Sequence, residues 1–331
     1  MITRRENYLT AARGGKSIWL PCFPEDANIF ALPFWRAVAP VTEKDFCGIR
    51  WVENEFGRMP DERYRAIEDI SQWHDTVKFP VLSELDWEGM RAQHLSRRDP
   101  EKVDVAMLNT HGIFLIPVNM LGWVEGLCAI YDSREELESF IAALTDFLVE
   151  LAGYIGKYIH PDIIFTGDDF AASTGPFISR EVWTDLYKPY MKRIIDAVHA
   201  QGALAEFHCC GNCGYLIEEF LDVGADICQL PAPDADLRRD KERLGSRLVL
   251  THAGQLYIEA GQHIQDIDQN LHAQVADSKN VVYGSFRLGI SNQRGLQLLP
   301  HVIPEFIRLY PRVKIQLCEE GSGRLERAVP E

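Results

Sequence analysis

Apolar and polar positions alternate along this chain in two rhythms. Short apolar runs of four to eight residues, bounded by glycine or by turn residues, read as buried strands; longer stretches with apolar residues every three or four positions read as amphipathic helices. Ser17–Cys22 (SIWLPC), Ile113–Val118 (IFLIPV), Asp162–Thr166 (DIIFT), Ala203–Phe207 (ALAEF), Ala225–Leu230, Arg247–Thr251 (RLVLT), Val281–Phe286 (VVYGSF) and Val313–Leu317 (VKIQL) are the strand-like runs. Helical spacing fills the gaps. Glu6–Gly15 predicts a short helix ending at Gly14-Gly15. Ser133-Arg134-Glu135-Glu136 has the form of a capping box ahead of Leu137, Phe140, Ile141, Leu144, Phe147, Leu148 and Leu151. Residues 179–200 predict a helix interrupted at Pro189, and Leu216, Ile217, Phe220 and Leu221 predict another that Gly224 ends.

Eight strand candidates alternating with helices form the pattern of an α/β chain, a (β/α)8 TIM barrel. The pattern is expected to cover residues 1–331 as one barrel domain, with residues 23–112 as a long insertion after the first strand, a lid-like subdomain. That stretch is too long for a plain loop and carries Trp35, Trp51, Trp73 and Trp87. A doubly wound open sheet would ordinarily show a glycine-rich phosphate turn after an early strand, whereas Phe23-Pro24-Glu25-Asp26 follows here.

Composition narrows the function classes. The 331 residues are 46% hydrophobic and 25% charged, an ordinary globular balance. A net charge of −15 argues against a nucleic-acid partner, because phosphate backbones attract basic surfaces. No uninterrupted apolar run approaches the roughly 20 residues of a membrane span, and Met1–Glu6 lacks the apolar core of a signal peptide. No membrane partner is expected, and the expected location is cytoplasmic. Five of the eight cysteines, Cys22, Cys47, Cys128, Cys228 and Cys318, are scattered singly. That is no disulfide framework, so the clustered ones point to metal binding or catalysis.

The cluster is His208-Cys209-Cys210-Gly211-Asn212-Cys213, at the carboxyl end of a strand, where barrels place their chemistry. His208 and Cys210 together offer an imidazole and a thiolate, donors that suit Zn2+. Two ligands are half a site. The third is open between Cys318 after the last strand candidate, Cys213, and a carboxylate, Asp168 or Asp169. Other strand ends would bring Asn119, Trp123, Gln229, His252 and Arg287 to the same rim as substrate-binding groups. Adjacent carboxylates at a strand end also commonly cap the next helix, so Asp168 and Asp169 carry that reading beside a catalytic one.

The residues resemble a known family. Glu6-Asn7 through Ala12-Arg13-Gly14 with Trp19-Leu20-Pro21, Asp45-Phe46-Cys47-Gly48 with Trp51, Gly167-Asp168-Asp169, Gly175-Pro176, Ile178-Ser179, Pro189 with Lys192-Arg193, His199, Gly202, His208-Cys209-Cys210-Gly211 and Gly224-Ala225-Asp226 occur in the order seen in the uroporphyrinogen decarboxylase superfamily. They resemble its corrinoid-dependent methyltransferase branch in particular. The resemblance implies a (β/α)8 barrel and a methyltransferase moving a methyl group between a small methylated compound and the cobalt of a corrinoid (cobalamin). The corrinoid protein would be a separate partner, since the chain has no Asp-x-His-x-x-Gly motif of its own. Methoxylated aromatics, and hence O-demethylation, are the favoured donors. The resemblance implies zinc as Lewis acid on His208, Cys210 and a later Cys, and Asp168 and Asp169 as catalytic groups; a homodimer is compatible with it.

Two departures bear on that expectation. Where the family carries its later Cys, this chain has Phe286-Arg287-Leu288-Gly289-Ile290. Where decarboxylases carry Arg-Gln-Ala-Gly-Arg, it has Pro21-Cys22-Phe23-Pro24-Glu25. A metal-free decarboxylase-like lyase and a non-catalytic binding paralogue are the alternatives.

Overall fold

The structure is a computed structural model that describes residues 2–23, 25–35, 44–54, 57–229, 283–290 and 292–319. The chain divides into two compact units, residues 1–256 and 257–331.

Among its described residues, the first unit is built on a parallel sheet of five strands, β1 (Ala27–Ala31), β2 (Val103–Met107), β3 (Ile163–Gly167), β4 (Leu204–His208) and β5 (Ile227–Gln229), adjacent in that order. Each strand lies beside its predecessor, the run of a barrel rather than the reversal of a doubly wound sheet. The α/β barrel class read from the alternating pattern therefore stands. Successive side chains take opposite faces. Val103, Val105, Ile163 and Phe165 form one cluster with Tyr8 and Leu9, while Ala106, Ile164, Ala205 and Phe207 belong to the large cluster that contains the flanking helices. Both faces being covered, the strands are mostly apolar, as parallel strands generally are, with Asp104 and Glu206 as buried exceptions.

Tyr8 and Leu9 lie on helix α1 (Arg4–Ala12), which opens with a reciprocal capping box between Thr3 and Glu6. The crossover helices are α2 (Trp87–Arg97), α3 (Leu115–Leu121), α4 (Trp123–Asp132), α5 (Arg134–Ile159), α6 (Lys188–His199) and α7 (Ile217–Asp222). By length and composition α5 is apolar enough to cross a membrane, yet more than half of that window is buried in the protein. Ser133 precedes it as expected, but its side chain makes no cap hydrogen bond. Pro189 does not break its helix. The backbone widens into one π turn, Trp183–Tyr187, immediately before α6, so the proline falls in the first turn, where a missing N–H is harmless.

Strands β3, β4 and β5 fall where the pattern puts them; the first two do not. Ser17–Cys22 is irregular, with Ile18 and Leu20 exposed. Asn7 holds it by bonds to Ile18 N (2.7 Å) and Trp19 O (3.0 Å). The first strand is Ala27–Ala31. Ile113–Val118 contributes most of α3, whose six apolar residues are buried. A short apolar run fits a strand or an all-round buried helix equally well. The true second strand, Val103–Met107, is disguised by Asp104, which Arg98 Nε (2.7 Å) and Asn28 Nδ2 (2.9 Å) neutralise and satisfy.

Between β1 and β2, residues 32–102 form an excursion with a small antiparallel hairpin, Trp51–Asn54 with Gly57–Pro60. It packs on α5 through aromatic contacts. Phe79 stacks on Phe147 at 5.1 Å, and Trp87 stacks on Tyr154 and Tyr158 at 5.4 and 5.6 Å. Residues 247–251, including the predicted strand there, lie outside the described residues. In the second unit, β6 (Tyr283–Ile290) and β7 (Arg312–Glu319) pair in parallel over their full length, joined by helix α8 (Asn292–Leu309).

Asp45 fixes a turn of the excursion. Its carboxylate accepts Cys47 N and Ile49 N at 2.9 Å and Trp51 Nε1 at 2.8 Å, and burial raises its pKa even against those bonds. Removing the acceptor strands three donors, two backbone and one indole, in a buried position, at about 1–3 kcal/mol for each left dry. Asp45→Ala is therefore expected to lower unfolding free energy by several kcal/mol in a urea titration; a loss of under about 0.5 kcal/mol, the range of ordinary surface substitutions, would contradict this role.

Candidate metal centre and substrate cleft

The carboxyl ends of β3 and β4 meet at one point. Asp168 N donates to His208 O at 3.0 Å, locking the strand ends in register. Asp168 and Asp169 then part company. Asp168 is buried, and its two oxygens accept Phe114 N (2.8 Å) and Leu115 N (3.0 Å) at the start of α3. Burial, opposed by those bonds, pushes its pKa up to about 7. Gly112 makes room for it, since a Cβ there would lie 2.5 Å from Asp168 Oδ2. Asp169, the next residue, points the other way.

Asp169, His208 and Cys210 offer one donor atom each, all within 4.8 Å of one another. His208 Nε2 lies 3.0 Å from Cys210 Sγ and 3.8 Å from Asp169 Oδ1, and Asp169 Oδ1 also accepts Cys210 N at 2.6 Å. One imidazole nitrogen, one sulfur and one carboxylate form a donor set suited to Zn2+. Burial and the Asp169 charge push the Cys210 thiol up to about 11. A thiolate at neutral pH in that place needs a cation beside it, so the residues fit a metal ion.

The remaining cysteines of the motif turn away. Cys209 and Cys213 are buried in the apolar core, where Cys209 Sγ accepts Phe170 N at 3.4 Å and Cys213 Sγ donates to Cys209 O at 3.7 Å. Their mutual hydrogen bond and burial raise the Cys209 pKa. The motif is thus split by direction, His208 and Cys210 to the site, Cys209 and Cys213 to the core. Cys318 sits on β7 in the second unit, opposite Gly289, and Arg287 sits on β6 opposite Gln316; both side chains, and His252 altogether, lie outside the described residues.

Asp169 also borders a cleft of about 830 Å3. Asn119 and Trp123, both expected at the rim, line it, together with His111, Phe177 and the Asp61–Arg65 turn. Trp123 and Phe177 approach at 4.8 Å. Gln229 is paired with His208 along β4–β5. Sequence reasoning missed His111 and Asn109. Asn109 Nδ2 donates to Gly167 O (2.9 Å) and its Oδ1 accepts Thr166 Oγ1 (2.6 Å), fastening the end of β3. Both follow β2, so the misplaced second strand hid them.

The sequence of residues 62–253 matches the family model of uroporphyrinogen decarboxylase (URO-D), more than half of the chain. This chain belongs to the uroporphyrinogen decarboxylase family. Its fold resembles that of a methyltransferase from Methanosarcina mazei, with a TM-score of 0.52, 13% identity, and coverage of 75% of this chain and 81% of that one. At that identity the likeness carries the fold alone. A different similarity covers a smaller part of this URO-D family chain. Probable RuBisCO transcriptional regulators from Trichormus variabilis and Nostoc sp. are each 36% identical to it over 83 residues, 25% of this chain and 25% of each regulator. The chain thus spans about a quarter of the length of these curated relatives.

Gly211 sets the turn that presents Cys210. Its φ is +77°, and a Cβ there would lie 2.2 Å from Ala171 O. Gly211→Ala must shift backbone as well as adopt a left-handed conformation, a cost of about 1–3 kcal/mol. The expected result is a lower melting temperature together with weaker metal binding; an unchanged protein on both counts would mean that this turn does not hold the site.

Proposed function

We propose that the chain is a methyltransferase that moves a methyl group between a small methylated compound and the cobalt of a corrinoid held by a separate protein. The observation that carries this reading is the convergence of Asp169, His208 and Cys210 at the carboxyl ends of two adjacent parallel strands, on the border of an aromatic-walled cleft. These three residues would hold zinc. Bound there, zinc supplies a Lewis acid for the heteroatom that carries the methyl group.

The protein's own residues do the rest. Trp123 and Phe177 offer flat apolar walls, which favours a methoxylated aromatic and O-demethylation, and Asn119 offers an amide for orientation. Asp169 is the carboxylate that reaches the cleft. Asp168 acts through it, holding the strand end fixed by its bonds to α3. The partner corrinoid protein must reach the cleft mouth, where Trp123 and Val124 are exposed. A cytoplasmic location suits this partnership. The lyase alternative lacks a motif of its own, since the arginine-bearing segment of decarboxylases is replaced by Pro21–Glu25.

We infer in addition that residues 257–331 are a module distinct from the barrel, of the kind found in the regulators. The family match ends at residue 253, the second compact unit begins at Tyr257, and this unit is close in length to the regulator-like stretch. On this reading Cys318 belongs to the module and the third zinc ligand is Asp169.

Purified protein is expected to contain about one zinc per chain and to consume cob(I)alamin with a methoxyarene. The double substitution His208→Ala with Cys210→Ala should lose both while the far-UV circular dichroism stays that of the parent. Full zinc content in the double variant, or turnover unaffected by it, would overturn the assignment.

A further inference from the structure

Two buried polar atoms near the proposed centre have no hydrogen-bond partner among the described residues: His208 Nδ1 and Glu206 Oε2. They belong to the same strand, β4, two residues apart, and so project from the same face. Glu206 is 1% exposed. An unpaired carboxylate oxygen in such a place costs several kcal/mol in general, and this one lies on a sheet face whose apolar residues include Ile163, Phe165, Leu204 and Ile227, with Tyr8 close enough that burial and the Glu206 charge together raise its pKa.

His208 uses Nε2 toward Cys210 and Asp169, which leaves Nδ1 as the nitrogen on the far side of the ring. A metal-bound histidine almost always donates that second N–H to an oxygen, which fixes the tautomer and the ring angle. Around His208, the described neighbours on the flanking strands are Phe165, whose ring stacks on the imidazole at 5.8 Å, Gly167, and Gln229, paired across from it on β5. Glu206 is the buried acid among them, one step down the same strand.

We propose that Glu206 is the positioning residue for His208: its carboxyl oxygen accepts the Nδ1–H, directly by side-chain rotation or through one bound water, and so aims Nε2 at the metal. Gln229 is the neutral competitor for the same proton. The assignment rests on the metal reading of His208 given above. It goes beyond that reading in naming a residue that touches neither the metal nor the substrate.

The test uses the full chain, stripped of metal and titrated with Co2+, whose thiolate absorption band reports Cys210 ligation. Glu206→Leu should bind Co2+ about 10–100-fold more weakly, the usual cost of losing such a partner, while the stoichiometry of one per chain is kept. Glu206→Gln keeps an acceptor oxygen and should stay within about threefold of the parent, whereas Gln229→Leu should leave affinity unchanged. In 15N-histidine spectra of the diamagnetic zinc form, His208 should be in the Nδ1–H tautomer in the parent and in Glu206→Gln, and lose its protected Nδ1–H signal in Glu206→Leu. Parent-like affinity and an intact Nδ1–H signal in Glu206→Leu would overturn the role of Glu206 alone, as would a loss that follows Gln229 instead. Failure of the parent protein to bind Co2+ through Cys210 would instead overturn the metal reading on which it rests.

Discussion

The site depends on how one pair of neighbouring carboxylates is divided. Asp168 is drawn into the core by Phe114 N and Leu115 N at the start of α3, and its own N–H is tied to His208 O at the end of β4. Successive residues of an extended segment point to opposite sides, so burying Asp168 turns Asp169 outward. Asp169 then meets the Cys210 N–H and comes within reach of His208. Two strands, one helix start and one glycine turn at Gly211 are thereby committed to a geometry that a loop alone would not hold. The same division explains the cysteine run, in which alternate residues serve the core and the site.

The parts of this arrangement legible in the sequence were those where local pattern and tertiary role agree. His208 and Cys210 follow a glycine-bounded apolar strand and precede a helix, and that context places them at a strand end wherever the strand sits. The first two strands were not legible for opposite reasons. Six of the seven residues of Leu115–Leu121 are buried and Asn119 alone is polar, too little to mark a helical stripe, so its helical period is invisible. Val103–Met107 carries Asp104, whose charge looks foreign to a buried strand until Arg98 and Asn28 are seen to satisfy it. With β2 misplaced, Asn109 and His111 had no reason to stand out. The distinction between Asp168 and Asp169 depends on backbone donors from a helix more than fifty residues away, a contact no local pattern contains.

Two different similarities are found in this chain. The URO-D family match accounts for the first unit, whose strands, cleft and donor cluster form a coherent α/β site. The regulator-like similarity is shorter, and its proposed seat is the second unit, a parallel β–α–β element with its own pairing. On the proposed reading Asp169 is the third ligand because it is already in place, oriented by bonds that exist without a metal.

The central claim is that a cation is held by one sulfur, one imidazole and one carboxylate at the ends of β3 and β4. Zinc K-edge absorption spectroscopy on the purified full chain counts those ligands directly. The account predicts a shell with one Zn–S distance near 2.3 Å and the remaining scatterers nitrogen or oxygen near 2.0–2.2 Å. A shell with two sulfurs would show that a second cysteine, not Asp169, completes the site, and a shell with none would remove Cys210 from it.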